Sequence, residues 1–84
     1  MPYIDPVNRR VIDDTMRDLL YLVRDLTPGE CNYVITKIIL AWEPKRYTDM
    51  EAVLGRLEAV KQEFYRRRMS SYEDQKILDN GDVY

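Results

Sequence analysis

The sequence contains no histidine and only one cysteine, Cys31, among its 84 residues. A structural zinc site needs several Cys or His ligands, and a disulfide needs two cysteines. The serine-histidine-aspartate triad and the cysteine-histidine pair of hydrolases each need a histidine. These classes of site are therefore excluded, and we predict no catalytic residue, no metal ligand and no cofactor.

The chain also lacks a strong excess of charge and a long apolar run. Thirteen Lys and Arg residues stand against 15 Asp and Glu residues, which gives a net charge of −2. No overall positive field attracts long nucleic acid or an anionic membrane surface. The longest apolar run, Ile38–Trp42, is far too short to span a bilayer, and the N-terminus has no signal-peptide pattern. A lone Cys31 fits a reducing compartment, so we expect a cytoplasmic protein without a membrane partner or a long nucleic-acid partner.

The first helix is predicted over residues 6–26. Asp5 is a suitable N-cap, and Pro6 is favoured at the first helical position. The apolar residues that follow are spaced four and three apart, which is the heptad pattern of one helix packing along another. These residues are Ile12, Met16, Leu19, Val23 and Leu26.

The second helix is predicted over residues 28–42. Thr27 and Glu30 have the spacing of a capping box, in which each side chain bonds the backbone N–H of the other residue. Pro44 disfavours helix at the preceding residue and sets the end. Because this helix is short and very apolar, we predict it to be the most buried element, with Trp42 and Cys31 in the core.

The third helix is predicted over residues 49–69, with a capping box at Thr48–Glu51. A heptad seam again follows, formed by Val53, Leu57, Val60 and Phe64. Ser70–Glu73 has the pattern of a third capping box. Residues 71–78 therefore form either a separate short helix or a continuation of the third one, and Asn80-Gly81 ends it before a tail over 79–84.

These elements predict an all-α fold, a small helical hairpin or bundle of three to four helices in a single domain over residues 1–84. The apolar stripes of the two long helices are wider than one hairpin buries. A domain of this size buries only about 60% of the surface that its unfolded chain exposes, a smaller share than larger domains bury, and is marginally stable alone. We therefore expect self-association into a homodimer or higher oligomer that completes the core.

Four short motifs resemble those of a family of short uncharacterised proteins of bacteriophages and bacteria. They are NYxIT at residues 32–36, EFYRR at 63–67, YEDxKI at 72–77 and NGDVY at 80–84. The resemblance covers most of the chain. It implies a small helical protein that is often phage-encoded and then acts in the host cytoplasm, and it brings no activity with it.

The first candidate ligand site is the arginine run after Tyr65. Residues 61–68 have a net charge of +3, and residues 69–84 have a net charge of −3. Arg66 and Arg67 offer planar, bidentate donors to a phosphate, and Tyr65 and Tyr72 offer rings that stack on a base. The alternative is internal neutralisation, for example by the i,i+4 pair of Glu63 and Arg67.

The second candidate set lies on the second helix, where Asn32, Tyr33 and Lys37 are polar or aromatic positions opposite much of the apolar face. Asp82 in the tail is a further candidate contact if the tail covers a pocket. The alternative is that the three residues of the second helix are its solvated face and that the tail is loosely attached.

The leading functional hypothesis is a non-enzymatic, oligomeric binding protein that captures a nucleotide-like or other phosphorylated small molecule. By analogy with other small phage proteins, it sequesters a host nucleotide signal. A structural or protein-interaction module without a small ligand is the alternative. A metal-dependent all-α nucleotide pyrophosphohydrolase is a third, although Glu58 and Glu63 diverge by about 140° on a helix and no Glu-x-x-Glu pair occurs.

Overall fold

The protein is all-α. The computed structural model describes residues 3–84, and it contains no strand in that range. Helix α1 spans Pro6–Val23, α2 spans Pro28–Ala41, α3 spans Tyr47–Phe64 and α4 spans Ser70–Asn80. A π-helical turn, Tyr65–Met69, joins α3 to α4 without a break. The described chain thus forms three continuous helical rods, none of which is long and apolar enough to cross a membrane.

The chain divides into two units, which are described separately. One comprises residues 3–44, with α1 and α2, and the other comprises residues 45–84, with α3, the π turn and α4. The single domain and the oligomer expected from the sequence stay predictions.

Local capping explains where the first two helices begin. The carboxylate of Asp5 accepts a hydrogen bond of 2.9 Å from the backbone N–H of Val7, and Pro6 is the first helical residue. At α2, the Thr27 hydroxyl accepts from the N–H of Glu30 at 3.2 Å, and the Glu30 carboxylate accepts from the N–H of Thr27 at 3.0 Å. This is the predicted capping box.

Within residues 3–44, most side chains of the heptad seam predicted for α1 are partly shielded from solvent. Met16, Leu19, Val23 and Leu26 are half-buried, whereas Ile12 is exposed. Helix α1 ends three residues earlier than predicted, because Arg24 and Asp25 form a turn that leads into the extended backbone of Thr27.

The prediction that the second helix is the most buried element is wrong. None of the residues Pro28–Ala41 is buried, and its half-buried side chains are Cys31, Val34 and Ile39. Trp42, predicted in the core, is 46% exposed. Apolar composition alone therefore did not determine burial. Glu43 ends the segment in a left-handed conformation with φ of 51°, directly before Pro44.

Helix α3 begins two residues earlier than predicted. Asp49, rather than Thr48, is the side chain at its start, and its carboxylate accepts from the N–H of Arg46 at 3.1 Å and from that of Lys45 at 3.3 Å. These two hydrogen bonds lower the pKa of the Asp49 carboxyl, and the one from the N–H of Arg46 has the larger effect. Val53, on this helix, is the one buried side chain of the described residues, with 6% of its surface exposed.

The helix is not interrupted at Ser70-Ser71. Met69 and Ser70 both have right-handed helical backbone angles, so α4 continues the rod, which was the alternative left open by the sequence. The predicted stop at Asn80-Gly81 is present. Gly81 has φ of 85° and ψ of 155°, a region that glycine alone occupies without strain, and its N–H donates to the carbonyl of Ile77 at 2.8 Å.

Candidate functional site

The arginine run lies on the π turn. In this turn the N–H of Ser70 bonds the carbonyl of Tyr65, five residues earlier, instead of the carbonyl four residues earlier. A π turn therefore adds one residue to the helix and rotates everything after it by about one position. The predicted site residues Tyr65, Arg66 and Arg67 all belong to this segment.

Two arginines of the π turn share one carboxylate. Arg66 Nη2 lies 3.0 Å from Glu63 Oε1, and Arg67 Nε donates to the same oxygen. The Glu63–Arg67 pair is the internal neutralisation that the sequence left open, and Arg66 joins it at i+3. The guanidinium groups themselves remain largely in contact with solvent, with 65% and 54% of the Arg66 and Arg67 side chains exposed.

The electrostatics of Glu63 follow from this arrangement. Partial burial raises the pKa of the Glu63 carboxyl, but the hydrogen bonds from Arg67 and Arg66 outweigh that effect, and the pKa lies below its ordinary value. Glu63 is thus charged at neutral pH and holds both arginines in place.

Tyr65 ties the π turn to α4. Its hydroxyl donates to Glu73 Oε2 at 2.9 Å, across eight residues or about 12 Å of helix. The hydrogen bond to the Glu73 carboxylate raises the pKa of Tyr65, and the negative charge of Glu73 adds to the effect. The predicted stacking partner Tyr72 is occupied differently, because Lys76 Nζ lies 5.5 Å from the centre of its ring.

The second candidate set lies in the other unit, on α2. Lys37 Nζ is 5.7 Å from the centre of the Tyr33 ring, so these two side chains are together. Asn32 is exposed, and its backbone carbonyl accepts a hydrogen bond of 2.7 Å from the hydroxyl of Thr36. Asp82 lies in the tail, where its carboxylate accepts from the N–H of Tyr84 at 2.9 Å.

The structure therefore places the eight predicted residues in separate groups. Tyr65, Arg66 and Arg67 are linked through Glu63 and Glu73, and Tyr33 contacts Lys37. A hollow of about 160 Å³ is lined by none of the eight predicted residues and lies at the end of α1, beside Tyr21, Arg24 and Asp25. It is smaller than the roughly 300–1,000 Å³ of typical ligand pockets. Across residues 3–84, no three acidic or cysteine side chains are grouped closely enough to hold a metal ion.

Sequence reasoning missed two features of this region, the π turn and the apolar side chains beside it. The signal was present in the spacing. The heptad seam of the third helix runs 53, 57, 60, 64, and the next apolar residues on the rod after Tyr65 are Met69 and Tyr72, at a spacing of five and then three. A step of five in a pattern of threes and fours indicates one inserted residue.

Comparison with known proteins yields one finding. A family model described as Domain of unknown function (DUF6899) matches residues 1–83. No curated protein and no solved structure matches the chain.

Proposed function

Because the chain belongs to the DUF6899 family, whose description states no activity, we propose a function from the geometry. The protein acts as a structural and protein-interaction module that assembles with itself through exposed apolar helix faces. The observation that supports this proposal is exposure. Val53 is the single buried side chain in residues 3–84, while large apolar side chains on every helix face water.

Size-exclusion chromatography with light scattering tests the proposal. At micromolar concentration we expect at least twice the chain mass of 10.1 kDa. We also expect the melting temperature to rise with protein concentration, because association stabilises the folded state by mass action. A monomeric mass together with a concentration-independent melting temperature would overturn the proposal.

A second candidate function is capture of a nucleotide-like or other phosphorylated small molecule at the π turn. It is supported by the coincidence of the arginine run with the π turn, since such turns are rare and frequently occur at functional sites. The exposed outer edges of Arg66 and Arg67 offer donors to a phosphate. This candidate is compatible with self-assembly, because two copies can bring their arginines to one anion.

Thermal shift with ATP and with inorganic phosphate tests this second candidate. We expect ATP to raise the melting temperature of the wild type and not of a variant with Arg66→Ala and Arg67→Ala. Arg17→Ala is the matched control, since Arg17 is also an exposed partner of an acid three residues earlier, Asp14. No shift in the wild type, together with no nucleotide in mass spectrometry of the purified protein, refutes it. Conversion of ATP and Mg²⁺ to the monophosphate would instead identify the pyrophosphohydrolase.

The motif resemblance supports a further proposal, that the protein is phage-encoded and acts in the host cytoplasm. Retention of a host nucleotide signal is one use of an anion site there. Genes of family members lying among phage genes would support the origin, and their consistent placement among chromosomal housekeeping genes would contradict it.

A further inference from the structure

The π turn has a side-chain contact that can select it over an ordinary helix. Tyr65–Met69 contains no glycine and no proline, so no residue with unusual backbone freedom accounts for the rare i→i+5 geometry. The competing arrangement is an uninterrupted α-helix, in which the N–H of Ser70 bonds the carbonyl of Arg66. A contact that forms in only one of these two arrangements determines which of them is adopted.

The hydrogen bond between Tyr65 and Glu73 is such a contact. The Tyr65 hydroxyl donates to Glu73 Oε2 at 2.9 Å, from the first residue of the π turn to a residue beyond its end. With the residue that the π turn adds, the two side chains lie about 20° apart around the rod and are in line along one face. In an uninterrupted helix they would lie about 80° apart and face different directions. This hydrogen bond therefore favours the π geometry.

The ion pairs of Glu63 do not make this selection. Arg66 and Arg67 follow Glu63 by three and four residues, which are the spacings at which side chains meet on an ordinary α-helix. These pairs are thus compatible with both arrangements, unlike the hydrogen bond of Tyr65.

The π turn also sets where the acids of α4 lie relative to the arginines. Glu73 follows Arg66 by seven residues, and Asp74 follows Arg67 by seven. In an uninterrupted α-helix each acid would lie about 20° from its arginine around the rod, on the same face. With the residue added by the π turn, each lies about 120° away. The π geometry therefore turns both carboxylates away from the guanidinium groups that precede them.

We propose that the hydrogen bond between Tyr65 and Glu73 holds the π turn and thereby keeps the acids of α4 away from the arginines. When it is broken, the rod becomes an uninterrupted α-helix and α4 turns by about 100° relative to α3. Both carboxylates then compete with an anion for the arginines. The inference deepens the second candidate function, on which its anion part rests, because it names what opens and closes that site.

Nuclear magnetic resonance of Tyr65→Phe tests the geometry, because phenylalanine keeps the ring and removes the hydroxyl. Scalar couplings across hydrogen bonds identify the carbonyl that each N–H bonds. We expect the N–H of Ser70 to couple to the carbonyl of residue 65 in the wild type and to that of residue 66 in Tyr65→Phe. Tyr72→Phe is the matched control, since the exposed Tyr72 contacts Lys76 through its ring, and it should keep the wild-type coupling. Retention of the wild-type coupling in Tyr65→Phe, or its loss in both variants, would overturn the proposal.

Two substitutions at Glu73 separate the hydrogen bond from a general loss of stability. Glu73→Gln keeps an oxygen that accepts from the Tyr65 hydroxyl, whereas Glu73→Leu removes the acceptor. We expect the first variant to keep the π coupling of Ser70 and the second to lose it, with both still helical by circular dichroism. The same coupling in both variants would contradict the role of this hydrogen bond.

Thermal shift with ATP tests the consequence for the arginines. Tyr65→Phe should need about two- to fivefold more ATP than the wild type for the same rise in melting temperature, the range set by an exposed ion pair. Adding Glu73→Gln and Asp74→Asn to Tyr65→Phe should restore the wild-type response, because no carboxylate then turns onto the arginines. The same two changes without Tyr65→Phe are the control and should leave the response unaltered. An equal gain in both backgrounds would reflect net charge alone and would overturn the competition.

The inference and the second candidate function fail in different ways. A wild type whose melting temperature does not respond to ATP would remove the anion site, while the coupling of Ser70 would still decide the role of Tyr65. A wild type that responds to ATP, together with a Tyr65→Phe variant that keeps the π coupling, would leave the anion site and remove its control by this hydrogen bond. A wild type in which Ser70 couples to the carbonyl of residue 66 would remove the inference.

Discussion

Replacing Thr27 by alanine should destabilise the protein through the start of α2. The Thr27 hydroxyl accepts the N–H of Glu30 at 3.2 Å, one of the backbone donors that the first turn of the helix leaves without an internal partner. The reciprocal bond, from the N–H of Thr27 to the Glu30 carboxylate, involves backbone and survives the substitution. Only half of the capping box is therefore lost.

Loss of a threonine N-cap costs about 1 kcal/mol. With an unfolding entropy of about 2.1 cal/mol/K per residue, a chain of 84 residues has roughly 0.18 kcal/mol/K, so this loss lowers the melting temperature by about 6 °C. Circular dichroism at a fixed protein concentration measures it, since self-association makes the melting temperature concentration-dependent.

Thr36→Ala on the same helix is the matched control. Thr36 also makes one hydrogen bond through its hydroxyl, but it donates to the carbonyl of Asn32 inside the helix. Alanine has the higher helix propensity there, by up to about 0.7 kcal/mol, so the variant should melt at the wild-type temperature or above it. Thr27→Ser should restore most of the loss. Equal destabilisation by Thr27→Ala and Thr36→Ala would refute the capping argument.

Three further outcomes are expected. Gly55→Ala should raise the unfolding free energy by about 1 kcal/mol, because alanine is the better helix former and a Cβ at this position in α3 meets open space. Gly81→Ala should lower it by about 1–3 kcal/mol, because the backbone of Gly81 has a positive φ. Urea midpoints of the two variants that move in the same direction would contradict this reasoning. Val53→Ala should cost roughly 2 kcal/mol, against at most about 0.5 kcal/mol for the exposed Val11→Ala, by urea denaturation. Glu63→Gln should have a lower melting temperature than the wild type at pH 7. Because folding lowers the pKa of Glu63, the extra stability of the wild type is fully present above the ordinary pKa of 4.5 and is lost as the pH falls through the lowered pKa. A difference in melting temperature that grows on acidification would contradict this.

Features that depend on a few neighbouring residues could be predicted. The caps at Asp5 and Thr27 and the stop at Gly81 each involve hydrogen bonds that span two to four residues, and all three are present. Helix α3 begins two residues before the predicted start, because Thr48 and Asp49 both have side chains that can accept the first backbone N–H groups. The carboxylate of Asp49 accepts two backbone N–H groups, which the Thr48 pattern did not take into account.

The candidate site was predictable to the same extent. The pair of Glu63 with Arg67 is an i,i+4 contact and was expected as one of two alternatives. The hydrogen bond from Tyr65 to Glu73 could not be predicted in this way, because it spans eight residues and depends on the rotation that the π turn introduces. A Cβ at Gly55 would meet nothing within 4 Å, so no close contact at that point accounts for the glycine in α3.

The sequence by itself determined that the chain is helical, and largely where the helices begin and end, because helix propensity, capping and heptad spacing act within a few residues. Exposure is a different property. The same heptad seam contains the buried Val53 and the 62% exposed Phe64, and the most apolar helix has no buried residue. Burial depends on what lies against a side chain from distant parts of the chain or from another copy, and that information is absent from local periodicity, so only the tertiary structure decided which apolar faces remain open.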